Sequence, residues 1–143
     1  MKSTYLWVGA AVVAGLAGWL AFGQKPEEPV AVAASQNDAL VEVSLPDSLS
    51  DQEQIGKRAF DAVCAACHGV NAAGRDGMGP PLVHKIYEPS HHGDMSFYLA
   101  VENGVRAHHW RFGNMPAQTG LTRADVGTII TYVRALQRTN GIN

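Results

Sequence analysis

From Thr4 to Gly23 the sequence reads TYLWVGAAVVAGLAGWLAFG, a run of 20 residues without a charge. A helix of that length is about 30 Å long, the hydrocarbon thickness of a bilayer. Lys2 precedes the run, which favours a cytoplasmic N-terminus and export of the remaining chain. A secretory signal has an apolar core of roughly 7–15 residues, so length favours a transmembrane anchor over residues 1–23. The small residues around Ala21-Phe22-Gly23 keep cleavage of a signal segment as the alternative. Ala10, Ala14 and Gly18 are spaced to pack on another helix, although small residues are common in such segments.

Residues 24–50 lose that pattern. Pro, Ala, Ser and acidic residues dominate without a long period, as in a flexible linker with a reach of about 30 Å. Only ALVEVSL, from Ala39, alternates weakly, as a short extended stretch would.

From residue 51 the pattern becomes helical. Ser50 followed by Glu53 forms a capping box, and Ile55, Ala59, Ala62, Val63 and Ala66 continue it as an apolar stripe ending near Cys67. Thr122 and Asp125 open a second helix, with Val126, Ile129, Ile130, Val133 and Leu136 on its apolar face. Arg134 and Arg138 suit its C-terminal dipole, and Asn140-Gly141 ends it. A shorter helix fits DMSFYLAVENG, with Asp94 as N-cap and Asn103-Gly104 as its end. Turn-rich stretches, GVNAAGRDGMGPPL and HHWRFGNMPAQTG, separate these elements, and nothing reads as a central strand. The expected domain, 51–143, is all-α: three main helices with long loops. So small a helical domain buries little by itself and calls for a staple, such as a large apolar cofactor.

Length and charge narrow the choice further. The chain has 143 residues and a net charge of -2, which fits one modest domain and gives no nucleic-acid footprint. There is no Gly-rich phosphate loop and no Gly-x-Ser-x-Gly elbow. Two cysteines make no disulfide framework.

Those two cysteines, Cys64 and Cys67, stand in the stretch CAACH with His68 directly after. Residues three and four apart on a helix share a face, so both thiols and the imidazole point the same way. Two such thiols can add to the two vinyl groups of one haem while the imidazole reaches the iron. Cys-x-x-Cys-His is the attachment signature of c-type haem. A structural zinc site would need a second ligand pair, and a thioredoxin-like pair opens a helix rather than closing one.

Over residues 51–143 the chain resembles the class I c-type cytochromes, with the motifs in matching order. The resemblance implies that Gly56 and Phe60 of the first helix meet Ile129 and Tyr132 of the last. It implies that GPPL at 79–82 supplies a proline carbonyl, from Pro80 or Pro81, to the N–H of His68, and that one haem c is covalently attached. It also implies that Met115, in the Met-Pro sequence before the last helix, is the second axial ligand of the iron alongside His68. Met78 lies on the same loop as the proximal site, and Met95 at a helix start is expected to pack.

His84, His91, His92, His108 and His109 lie between the attachment site and Met115, so bis-histidine ligation stays open. Trp110, Arg111, His109 and Arg106 are candidates for a haem propionate, and the paired histidines could take copper. The expected function is one-electron transfer without catalytic residues, between redox-protein donor and acceptor. The haem domain would stand in the periplasm, held to the inner membrane or released after cleavage. The competing reading is a haem enzyme or gas sensor with a labile sixth position.

Overall fold

The computed structural model describes residues 38–143. The expected anchor or signal at 1–23 and the first half of the linker lie outside the described residues. Among the described residues no helix is long and apolar enough to cross a membrane. The order is α1 (Asp51–Val63), α2 (Ala65–His68), α3 (Asp94–Asn103) and α4 (Arg123–Thr139), with single 3-10 turns at Val70–Ala72 and Lys85–Tyr87. Among the described residues there is no strand; isolated antiparallel bridges join Arg75 to Gly79 and Val105 to Met115. The fold class is the all-α one expected.

Both capping boxes form. Ser50 Oγ accepts from the Glu53 amide while Glu53 accepts from the Ser50 amide, and Thr122 and Asp125 do the same at α4. Each box satisfies two backbone donors that have no helical partner. α2 continues α1 with little break: the Cys64 amide donates to Phe60 O at 2.8 Å and the His68 amide to Cys64 O at 2.9 Å.

The buried face of α1 differs from the expected stripe. Gly56 and Phe60 are buried, whereas Ile55, Ala62 and Ala66 are exposed. The face is set by what lies opposite, α4, and not by the apolar period alone. A Cβ at Gly56 would collide with the carbonyl of Thr128 and stand 3.0 Å from Tyr132 Cβ. The closest partner of Gly56 is thus the Thr128 backbone rather than Ile129, and only glycine lets the two helices approach so far. Phe60 then lies against Tyr132 with ring centroids 5.7 Å apart. On α4 all five expected positions are buried.

Asp94 opens α3 as its first residue; Gly93 is the N-cap and makes no side-chain cap bond. Asp94 instead accepts from Arg134 Nε at 2.9 Å. Arg134, expected to serve the helix dipole, is buried. The linker region also departs from expectation. From Asp38 onward it lies against the helical body: the amides of Leu40 and Val41 both donate to Ala73 O at 3.1 Å, and Val43 and Leu49 pack on the core. Asn140 pairs with both backbone groups of Ser44, at 2.9 and 2.8 Å. ALVEVSL therefore forms an extended strap without sheet partners.

The close contact at Gly56 yields a test. Gly56→Ala should force α1 away from α4 and cost about 1–3 kcal/mol, a fall of roughly 4–8 °C in Tm per kcal/mol for a domain of this size. Thermal unfolding of the purified holo-protein measures it; an unchanged midpoint would mean that the helices do not meet there.

Candidate functional site

The turn from α1 into α2 sets the first part of the site. Cys64 is half-buried and Cys67 exposed, and both are free thiols. His68 ends α2. Gly79 runs directly beneath this turn: a Cβ there would lie 2.7 Å from Cys67 O. That close passage brings Pro80 O to 2.9 Å from His68 Nδ1. Of the two prolines, Pro80 faces the imidazole. Pro81 is fully buried and packs beside Gly74.

A cavity of about 490 Å³ opens above this turn, within the range of small-molecule and cofactor sites. Phe60, Leu82, Phe97, Val105, Phe112 and Ile129 make its walls mainly apolar. Cys64, His68, Pro80, Trp110 and Met115 line the same space. Met115 is held in place through its backbone, exchanging two hydrogen bonds of 2.9 Å with Val105. Met78 and Met95 do not line the cavity. Each is about half exposed, and Met95, expected to pack, instead has the Arg123 guanidinium 3.8 Å from its sulfur. A second hollow, between residues 39–44 and 69–75, contains none of these donors.

Electrostatics define the chemistry. Burial, with a smaller contribution from Cys67, pushes the Cys64 thiol up to about 11, so it stays protonated at neutral pH. Redox exchange needs the thiolate, a form that burial disfavours at Cys64. Burial lowers the His68 pKa, and the Pro80 carbonyl works in the opposite direction. The neutral ring then carries its proton on Nδ1, facing Pro80 O, and leaves the Nε2 lone pair for a ligand.

The residues fit a haem c. Cys64, an imidazole with a fixed tautomer and a thioether line one apolar space, Cys67 stands exposed just before that imidazole and outside the lining, and the Trp110 Nε1–H is buried without a hydrogen-bond partner. The indole lies near enough to the Tyr87 hydroxyl to ease its ionisation, against the stronger effect of burial, but not in hydrogen-bonding geometry. A carboxylate edge of the cofactor would satisfy that donor. Of the other candidates for this edge, His109 lines the cavity, whereas Arg106 and Arg111 are exposed and do not.

The structure also shows residues whose part in the site has no motif to announce it. Arg134 donates to Tyr87 O at 2.8 Å and to His92 O at 2.5 Å. Gln137 is fully buried and donates to Leu82 O at 2.8 Å and Tyr87 O at 3.1 Å. Together they tie the wall between Leu82 and His92 to α4. The signal was present in spacing: Arg134 follows Ile130 by four residues and Gln137 follows Val133 by four, so both continue the buried stripe. His84 faces the Trp110 ring at 5.2 Å between centroids. His109 is held below its ordinary pKa, first by desolvation and then by His108, His92 and His91.

The cytochrome c family model matches residues 53–137. No curated protein matches the chain. The match spans more than half of the sequence, and the chain belongs to the cytochrome c family. Membership implies covalently bound haem c and a role as a haem-based electron carrier. Replacing both thiols (Cys64→Ser with Cys67→Ser) should therefore abolish covalent haem. A denaturing gel stained for haem peroxidase activity should show no band for this variant, and a stained band would rule out these attachment points.

Proposed function

We propose that this cytochrome c is a one-electron carrier with both axial positions of its iron filled, by His68 and Met115, and that it is not an enzyme. One observation carries the reading: an imidazole with a free Nε2 and a thioether line the same apolar cavity as Cys64. A haem bound there supplies a one-electron couple between ferrous and ferric iron. The Pro80 carbonyl holds the His68 ring and makes it the more basic ligand. The Val105–Met115 bridge fixes the backbone that carries the thioether. With His68 and Met115 both holding the iron, no position would remain for a substrate, and a thioether ligand would favour a relatively high potential.

The partners in this proposal are a redox-protein donor and acceptor. From residue 51 onward there are nine basic and eight acidic side chains, so long-range steering is weak. Leu99 lines the cavity and is 50% exposed, which supports apolar docking beside the cofactor.

The oxidised protein should show the weak long-wavelength sulfur-to-iron charge-transfer band. Met115→Ala should remove that band, lower the potential and open the iron to carbon monoxide. Because His108 and His109 line the same cavity, the variant with both also changed to Ala separates loss of the thioether from its replacement. A wild type without the band, whose spectrum and potential survive Met115→Ala, would overturn Met115 as ligand. Carbon monoxide binding by the unaltered reduced protein would favour an enzyme or sensor.

Residues 1–23 are proposed as an inner-membrane anchor with the haem domain in the periplasm, on the strength of the uncharged run. Membranes washed with high salt and carbonate should retain the full-length protein. Recovery of a soluble periplasmic form beginning near Gln24 would establish cleavage instead.

A further inference from the structure

We propose that His91, His92 and His109 form a second metal site, for a first-row transition-metal ion with copper preferred over zinc, distinct from the iron ligands His68 and Met115. Their ligand nitrogens lie within 4.8 Å of one another. Ring centroids are 4.6 Å apart for His91 and His92, 5.5 Å for His91 and His109, and 5.3 Å for His92 and His109. The ligands come from two loops far apart in sequence, so the group is made by the fold and not by adjacency alone.

One ligand is fixed and two are adjustable. His92 Nδ1–H donates to Ile86 O at 2.6 Å, which commits that nitrogen and leaves the Nε2 lone pair for a ligand. Metal-ligating histidines commonly have their other nitrogen held in this way. The loop beneath is rigid: Glu88 O accepts from the amides of His91 at 3.0 Å and His92 at 2.8 Å, and Arg134 holds the His92 carbonyl from below. His91 and His109 are exposed, and their contacts in the group are with other imidazoles. Metal–nitrogen bonds of about 2.0 Å place neighbouring ligands roughly 2.8 Å apart in a square-planar site and roughly 3.4 Å apart in a tetrahedral one, so closure needs up to about 2 Å of ring movement. His108 packs on His109 at 4.2 Å between centroids, with Nδ1 bonded to Arg106 O. It stands as a fourth imidazole beside the three.

The donor set points to the ion. Imidazole suits copper, zinc and nickel, and among divalent first-row ions Cu²⁺ binds such sites most tightly. The site borders the haem cavity, which His92 and His109 also line, but it needs neither His68 nor Met115.

The test is titration of the full-length holo-protein with Cu²⁺ against a weak chelating competitor, followed by electron paramagnetic resonance. One copper per chain is expected, with hyperfine structure from several nitrogens. His91→Ala and His109→Ala, singly, should each weaken binding by at least about tenfold, the loss that even indirect partners of a metal site produce. His84→Ala, outside the group, should leave copper binding unchanged, and in each of these proteins the haem absorption spectrum should be the same before and after copper is added. Absence of stoichiometric copper, or equal affinity in the wild type and both single variants, would overturn the site. Copper uptake that changes the haem spectrum would overturn it in favour of displacement at the iron. The electron-carrier reading does not depend on the outcome.

Discussion

The approach of α1 to α4 at Gly56 decides where the rest of the protein can stand. Gly56, Phe60, Cys64 and His68 succeed one another at intervals of four residues. An α-helix turns about 100° per residue, so each step advances about 6 Å and drifts roughly 40° around the axis. Over three steps the drift is about 120°. Gly56 can therefore face the α4 backbone while His68 faces the Pro80 loop and the cavity. With the crossing point fixed by a contact that admits no side chain, the position of the imidazole is set by helical geometry. The Tyr132 hydroxyl adds a tie, donating to Asn71 Oδ1 at 3.1 Å just beyond the attachment turn.

The wall between Leu82 and His92 contains only a 3-10 turn of its own, and α4 holds it through polar side chains. A buried guanidinium is costly unless its donors are satisfied. Here Arg134 reaches Asp94, Tyr87 O, His92 O and Gln137 Oε1, and its plane lies over Phe97 at 4.9 Å. Its ion pair with Asp94 is exposed on the carboxylate side, so the Coulombic gain is modest. The larger effect is positional. Two loop carbonyls that would otherwise need water are satisfied from one helix, and the loop carrying Leu82, Tyr87 and His92 acquires a definite path along the cavity.

Local signals are legible in the sequence, and long-range ones are not. The capping boxes at Ser50–Glu53 and Thr122–Asp125 lie within four residues, and the apolar stripe of α4 is wide enough to fix its face. CAACH names its own chemistry because the spacing of donors on a helix is intrinsic. Asp94 resembles a cap in one dimension, but its carboxylate answers to Arg134, 40 residues away, and Gly93 takes the cap position. The α1 stripe is ambiguous because alanines satisfy either face equally, whereas Gly56 tolerates only one. Choosing Pro80 over Pro81 requires the path of the loop under Cys67. The strap from Asp38 gives only a weak alternation because its bonds run to Ala73 and Asn140, not to a neighbouring strand. The histidine pairs HH at 91–92 and HH at 108–109 are legible in one dimension, but their meeting is not, since it requires the loops to fold.

Core and site share residues, and this bears on why attachment is covalent. Phe60 and Ile129 belong both to the packed interface of α1 with α4 and to the cavity wall. Leu82 and Phe97 pack on the same core while lining the same cavity. The cofactor is thus a packing partner of the folding core, and its contacts contribute roughly 25 cal/mol for each Å² of apolar surface removed from water. A group held without a bond stabilises the fold only as RT ln(1 + [L]/Kd), which falls as the free ligand is diluted. Bonds to Cys64 and Cys67 replace that concentration by a fixed intramolecular one. The packing of Phe60 and Ile129 then no longer depends on supply of the cofactor, and the two thiols serve the stability of the helix pair as directly as they serve the iron.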